Sequence, residues 1–340
     1  MNYNYDFKIA EYEKLNLNKI QLSKKKIYLY LILILIIFFP LFFFFLLILK
    51  KINHIIKLNY NEKVINKKLF KKLDFKLQIL EEKALSKEKK IIISNNINIY
   101  YLLSIKKVLG FKKIRIGRNS DGGYILLNDL NNIKIAYSFG ISREISFEKG
   151  LADKNIDIFM YDHTIDKLPF NNSRFHWKKI GLIGKNINKN NMKTLTDLIE
   201  ENGHTKEKNM ILKLDIESYE WEVFQYLPFK NLRQFKYIVG EFHFSKSSKI
   251  HYNKILERLL VTHQIFHIHC NNCGRGRIIK LNGNLICSLL EISFIQKKGY
   301  KFTEDDNIYP IGGVDYKNCK RKKDISYLIN LIKLNKYKID

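Results

Sequence analysis

Between about residues 100 and 300, short apolar runs alternate with segments of helical spacing. The apolar runs occupy 134–139, 156–161, 177–183, 210–214 and 237–242, and apolar positions recur every three or four residues through 145–154, 192–202, 219–226 and 252–262. Such runs read as strands buried on both faces, and the periodic segments between them as crossover helices. The rhythm predicts a mostly parallel sheet covered by helices on both sides. Two later runs, 265–269 and 289–296, are joined by a Gly-containing loop over 273–284 and predict a closing antiparallel pair.

The pattern changes toward the N-terminus. Residues 1–26 are polar and of mixed charge, whereas 27–49 are apolar throughout, interrupted only by Pro40 and bracketed by lysines at 24–26 and 50–51. At about 1.5 Å per residue this run crosses a hydrocarbon core of about 30 Å. It is roughly twice as long as the apolar region of a secretory signal peptide, and no small-residue cleavage site follows. A single transmembrane anchor in the lipid bilayer is therefore expected, with Pro40 tolerated as a kink. Lysines at both ends leave its orientation open. The short leading tail and large following domain fit a signal anchor with the domain in the lumen of the ER or Golgi. From Lys50 to about Lys90 the chain is Lys-rich, with Leu69, Leu73, Leu77 and Leu80 at helical spacing, and Asn-rich residues 95–98 lead into the globular part. The Lys-rich stretch reads as a stem, either a solvated helix or one that self-associates through this stripe. The expected organisation is a tail (1–26), a transmembrane helix (27–49), a stem (50–98), a globular domain (99–303) and a basic C-terminal tail (304–340) with helical spacing at 325–332.

Lys and Arg total 60 against 33 Asp and Glu, a net charge of +27. An excess of this size often signals nucleic acid. Here it is spread along the whole chain as Lys, alongside heavy use of Asn and Ile, so it reads as coding bias and no nucleic-acid partner is expected. The 46% apolar content allows a sizeable core. Four cysteines are too few for a disulfide-built scaffold and leave the redox compartment open.

Candidate chemistry collects where the predicted strands end. The 210–214 run gives way to Asp215, Glu217 and Glu220. Open α/β sheets bind ligands at the carboxyl ends of their strands, and period-2 alternation would point Asp215 and Glu217 to one side. The first strand exits through Tyr137-Ser-Phe-Gly-Ile, which puts Gly140 where a nucleotide-like ligand meets the backbone. The second ends in Asp162, about 20 residues on, a spacing suited to gripping a ribose. Upstream, Arg115-Ile-Gly-Arg-Asn-Ser-Asp-Gly-Gly-Tyr contains a turn signal, with Arg115, Arg118, Asp121 and Gly122 placed either to form a plain hairpin or to lean over a ligand. Glu241 and His243 lie on one side of the 237–242 strand and its exit, where His243 is a candidate base near neutral pH. His267, His269, Cys270 and Cys273 offer zinc-type ligands, but their alternation splits them between faces and no second cluster follows, so no metal is expected. A Cys270–Cys273 or Cys273–Cys287 disulfide is the alternative.

Taken in order, the Arg115–Tyr124 segment, Tyr137-Ser-Phe-Gly-Ile, Lys213-Leu-Asp-Ile-Glu-Ser-Tyr-Glu-Trp-Glu and His269-Cys-Asn-Asn-Cys resemble the methyltransferase-like domain of animal METTL-type proteins, related to the FkbM-type methyltransferases. The resemblance covers about residues 100–300. It implies a Rossmann-like class I S-adenosylmethionine-dependent methyltransferase fold, α/β, with a seven-stranded sheet whose last strand is antiparallel. By that resemblance S-adenosylmethionine lies over Gly140 with its ribose on Asp162, and Asp215 and Glu217 border the methyl group and the acceptor. Read from the residues themselves, Asp121 and Gly122 join the donor-binding candidates, and the catalytic candidates are Asp215 or Glu217, with His243 second. The acceptor would be a small molecule or glycan hydroxyl. Ser218-Tyr219 departs from the related pattern, which usually has Gly-Ala there. The rival readings are a membrane-anchored glycosyltransferase, with Asp215 and Glu217 as a metal-binding acid pair, and an inactive binding protein that keeps the fold.

Overall fold

The computed structural model describes residues 98–185, 191–246, 250–273 and 278–335. The apolar run at 27–49 and all but the last residue of the 50–98 stem lie outside the described residues. Among the described residues no helix is long and apolar enough to cross a membrane.

Seven strands build the central sheet: β1 (Ile135–Phe139), β2 (Asp157–Tyr161), β3 (Phe175–Lys178), β4 (Met210–Leu214), β5 (Phe235–His243), β6 (His263–Cys270) and β7 (Leu289–Gln296). Their order across the sheet is β3-β2-β1-β4-β5-β7-β6. The pairs β1–β2, β2–β3, β1–β4 and β4–β5 are parallel, while β7 runs antiparallel to both β5 and β6. The pattern's mostly parallel sheet and closing antiparallel pair are both present, and the seven strands with the last one reversed are those that the family resemblance implies. The strand order turns back between β1 and β4. At such a switch point the following connections diverge to opposite sides and leave a crevice at the strand ends.

Helices α1 (Ser146–Ala152), α2 (Leu195–Glu201), α3 (Glu220–Tyr226) and α4 (Tyr252–Thr262) follow β1, β3, β4 and β5. Along α4 the buried positions Tyr252, Ile255, Leu256 and Leu259 fall on one stripe, and each contributes about 1.5–3 kcal/mol by leaving water. The run at 177–183 is not one strand. A turn at Ile180, whose N–H bonds Lys178 O at 2.9 Å, separates β3 from a short pairing of Gly181–Leu182 with Met192–Lys193.

Strand alternation gives the two sheet faces different characters. One face carries Tyr137, Phe139, Leu212, Leu214, Ile238, Phe242, Ile292 and Phe294, and it is sealed by α2, α3 and α4. Trp221 of α3 is fully buried there against Phe242, Phe244 and Tyr252. The opposite face starts apolar, with Ala136, Ile211, Tyr237 and Ile295. It then turns polar toward the crevice, through Ser138, Lys213, Glu241, Glu291 and Ser293. Over this polar half lies a hairpin of Lys113–Ile116 with Tyr124–Leu127.

The segment after residue 303, read from sequence as a basic tail, is part of the packing. Phe302–Glu304 pairs with Lys106–Val108, Tyr309 is buried, and α5 (Leu328–Asn335) sinks Leu328, Ile329 and Ile332 into the main core. An apolar stripe outweighs the surrounding lysines once a groove exists to receive it.

Candidate active site

Gly140, Asp162 and Asp215 sit together on the lip formed by the ends of β1, β2 and β4. Gly140 N–H bonds Tyr161 O and Asp215 N–H bonds Phe139 O, each at 3.2 Å. Gly140 takes φ +73°, and a Cβ there would lie 1.6 Å from the carbonyl oxygen of Asp215. The close crossing of two backbones thus demands glycine at this position. Beneath it, Lys213 donates to Phe139 O at 3.2 Å and Gly140 O at 2.6 Å. A lysine buried in a central strand is tolerated because its ammonium takes over these carbonyls.

Asp162 is wired into this loop. Its Oδ2 accepts from Ile141 N and Ser142 N, both at 2.9 Å, and its Oδ1 from Thr164 N at 2.7 Å and Thr164 Oγ1 at 2.6 Å. Four donors fill the usual capacity of a carboxylate. Burial pushes its pKa up, but these bonds to Thr164, Ser142 and Ile141 outweigh burial and hold it below the usual value of 3.8. A ribose hydroxyl would have to compete with Thr164 for Oδ1.

Asp215 has the opposite surroundings. Its one described side-chain contact is a long approach from Tyr124 OH, 3.4 Å from Oδ2. Burial raises its pKa first and foremost. Lys213 and His243 pull it down, Glu241 and Glu220 push it up, and the result is about 7. An aspartate so placed exchanges a proton near neutrality, which suits a general base.

Glu217 does not share an extended strand face with Asp215. β4 ends at Leu214, and the chain then turns through Glu217 (φ +53°) and Ser218 (φ +84°), leaving the Glu217 side chain largely in solvent. The left-handed conformation at Ser218 explains why the related pattern has glycine there.

His243, at the end of β5, lies inside a carboxylate cage. Its Nε2 is 3.5 Å from Glu217 Oε2 and 3.2 Å from Glu241 Oε1, and its Nδ1 is 3.3 Å from Glu220 Oε1. Burial alone would lower its pKa, but Glu220 and Glu241 outweigh burial and push it up to about 10. An imidazolium has no lone pair with which to take a proton, so the cage suits His243 to the role of counter-ion to the acids more than to that of the second-choice base. Glu220 is fully buried at the start of α3 and also accepts from Ile216 N at 2.9 Å and Ser218 N at 3.3 Å, fixing the turn beyond Asp215.

The Asp-Gly-Gly segment forms the hairpin turn. Arg115 donates to Arg118 O and Ser120 O, both at 2.6 Å, so it braces the turn instead of leaning over a ligand. Arg118 pairs with Glu144. Gly122 takes φ +86°, and a Cβ there would lie 2.1 Å from the Glu144 side chain. Asp121 reaches the polar sheet face, where carboxylate oxygens of Asp121, Glu241 and Glu291 lie within 4.8 Å of one another. Glu241 and Glu291 are direct partners across β5–β7, and His269 is opposite Glu291 across β7–β6.

Tyr124, Lys213, Glu291, Asn271 and Asn318 went unflagged as site residues in the sequence. For Glu291 and Lys213 the signal was present, a lone charge inside an apolar strand run. The cysteines pair as Cys270–Cys287 and Cys273–Cys319, with none free, so neither pairing considered from sequence occurs. His267 bonds Asp315 at 2.8 Å and His269 bonds Glu291 at 3.2 Å, leaving no joint His–Cys ligand set.

Comparison with known proteins places the chain in a family. None of the curated proteins matches. Among solved structures, a Pyrococcus horikoshii protein described as an RNA methyltransferase aligns at 9% identity and TM-score 0.23, over 48% of this chain and 74% of that one. A Streptococcus thermophilus protein described as a hemolysin aligns at 10% identity and TM-score 0.28, over 64% and 79%. Both likenesses are too loose to bear on activity. Residues 62–259, more than half of the sequence, match the family described as Methyltransferase domain, Methyltransf_22, and the chain belongs to that methyltransferase family.

Proposed function

We propose that the chain transfers a methyl group from S-adenosylmethionine to a hydroxyl acceptor, such as a glycan, from a domain tethered to a membrane. The observation that carries this reading is the lip at the switch point of the sheet, where Asp215 sits at the β4 tip directly against Gly140, its carboxyl pushed up to about 7 by burial. The lip fits the donor. The Asp215 carboxylate suits a sulfonium cation, and the crevice between β1 and β4 suits an adenosine. Gly140 and the Ile141–Ser142 main chain would border the nucleoside, and Asp162 would act through the loop that it pins.

When bound, S-adenosylmethionine supplies an electrophilic methyl carbon whose leaving group is a neutral thioether. Asp215 accepts the hydroxyl proton as the acceptor oxygen forms its new bond to carbon. Tyr124, 3.4 Å from Asp215 Oδ2, orients that carboxylate. Lys213 keeps Gly140 and Asp215 in register, so that donor and acceptor meet in line. His243 balances the charge of Glu217, Glu220 and Glu241.

The apolar run at 27–49 supports the membrane tether. Full pairing of the four cysteines supports an oxidising lumen, as does an exposed glycosylation motif at Asn171-Asn172-Ser173. Glycan found on Asn171 would fix the domain in the lumen, and an unmodified Asn171 together with reduced cysteines would place it on the cytosolic side.

The test is thermal melting of the purified chain with S-adenosylmethionine, and separately with a nucleotide sugar plus Mn²⁺, followed by transfer of labelled methyl to hydroxyl acceptors. S-adenosylmethionine alone should raise Tm. A rise with the nucleotide sugar and none with S-adenosylmethionine would overturn the reading in favour of a glycosyltransferase.

A further inference from the structure

We propose that Asp121, Glu241, Glu291 and the side-chain oxygen of Asn318 form a binding site for a hard divalent cation of the calcium or magnesium kind. Four separate parts of the chain meet here: the hairpin turn, β5, β7 and the segment after β7. Oxygens of the three acids lie within 4.8 Å of one another. Hard cations hold oxygen ligands at about 2.0–2.6 Å, so opposed ligands on one ion are separated by about this distance.

The second observation is Asn318. It is only 6% exposed, and its amide nitrogen donates to Asp121 Oδ1 at 3.0 Å and to Glu291 Oε1. Its Oδ1 is buried without a hydrogen-bond partner among the described residues. A buried amide oxygen left unpaired is costly. The two ends of an asparagine amide are nearly the same size and exchange places by rotation about one bond. With a cation between Asp121 and Glu291, that rotation turns Oδ1 onto the ion as a ligand and carries the amide nitrogen to the position the oxygen leaves. Without one, only the nitrogen can face two carboxylates, and the oxygen is stranded.

The surroundings hold this arrangement in place. Asn271 cannot rotate in the same way, because its Oδ1 accepts from Cys273 N at 2.7 Å, so its nitrogen stays on Glu241 and, at 3.5 Å, near Asp121. The Cys273–Cys319 disulfide ties the residue after Asn318 to this same turn. His269 and His243 each hold one acid from outside, at 3.2 Å from Glu291 and 3.2 Å from Glu241. They play the orienting role that partners behind metal ligands commonly play. The ligands are all oxygens, which favours calcium, magnesium or manganese over zinc.

The proposal does not depend on methyl transfer, and its test needs neither donor nor acceptor. The full chain, stripped with EDTA, is titrated calorimetrically with CaCl₂, MgCl₂ and MnCl₂ in turn, and its melting is followed with each salt. The expected result is one ion per chain, with a higher Tm. Asp121→Asn, a change in an exposed turn, and Asn318→Ala should each weaken binding at least about tenfold, as expected for losing one of few ligands. Asp121→Asn should leave the metal-free Tm unchanged, which keeps the test valid if Asn318→Ala folds poorly. Absence of heat and of a Tm shift with all three salts at millimolar concentration would overturn the proposal. So would Asp121→Asn binding as tightly as the unaltered chain.

Discussion

The tips of β2 and β4 each end in an aspartate, and the two are set up in opposite ways. Asp162 receives four donors and is held below its usual pKa, while Asp215 receives one distant hydroxyl and is raised to about 7. Both are partly desolvated, so burial alone does not separate them. The supply of donors does. An acid that feeds its lone pairs to a loop is committed to structure, whereas one left short of donors keeps its affinity for a proton. Within one lip, the β2 tip therefore shapes the binding loop and the β4 tip is free to do chemistry.

Removing the base should have the largest effect. Asp215→Asn is expected to lower methyl transfer by about 10²–10⁴-fold, the usual worth of a positioned general base. Single-turnover transfer of labelled methyl checks this, and a variant with undiminished rate would erase the distinction between the two tips. The same variant should not lose stability at pH 8, because it removes a buried charge that has few partners.

His243→Gln sharpens the comparison from the other side. It strips the counter-charge from Glu220 and Glu241, and should cost about 3–5 kcal/mol of stability by leaving buried carboxylate charge uncompensated. If His243 were the base, a pH–rate limb near neutrality would vanish with it; here that limb should survive in whatever fraction folds. Asp162→Ala should cost about 3 kcal/mol in denaturant melts, since it orphans the Ile141, Ser142 and Thr164 amides. It should also weaken donor binding through the loop. Ser218→Gly, which relieves a left-handed serine, should change stability by no more than about 1 kcal/mol.

The two aspartates also predict opposite pH signs. A raised pKa means that the folded state binds more protons than the unfolded chain. The Asp215 contribution is therefore fully present below the unfolded value of 3.8 and is lost as pH rises toward 7. The Asp162 pKa is depressed, so its contribution is present above that unfolded value and is lost as pH falls through its folded pKa. Stability–pH curves of Asp215→Asn and Asp162→Ala, each subtracted from the unaltered chain, should slope in opposite directions.

Much of this was legible in the sequence, for reasons that particular residues make clear. The β4 run and its exit into Asp215 are visible because a strand buried on both faces must be apolar until it leaves the sheet. The 289–296 run and α4 appear with the bounds that the alternation and the helical stripe predict. What failed to show depends on contacts between distant segments. Nothing local marks Asn318 as a neighbour of Asp121, 197 residues away, and the partner of Cys273 is 46 residues on. His243 looked like a base because its cage is assembled from a turn, a helix start and its own strand. Alternation misplaced Glu217 because it was carried one turn past the end of β4.

Carbon NMR titration of the aspartate carboxyls in the intact chain, with Asp215→Asn and Asp162→Asn used to assign the signals, puts both tips in a single experiment. The Asp215 carboxyl should titrate with a midpoint near 7, and the Asp162 carboxyl below the usual value of 3.8. An Asp215 midpoint in the ordinary aspartate range, or one below that of Asp162, would contradict the division between a chemical and a structural strand tip.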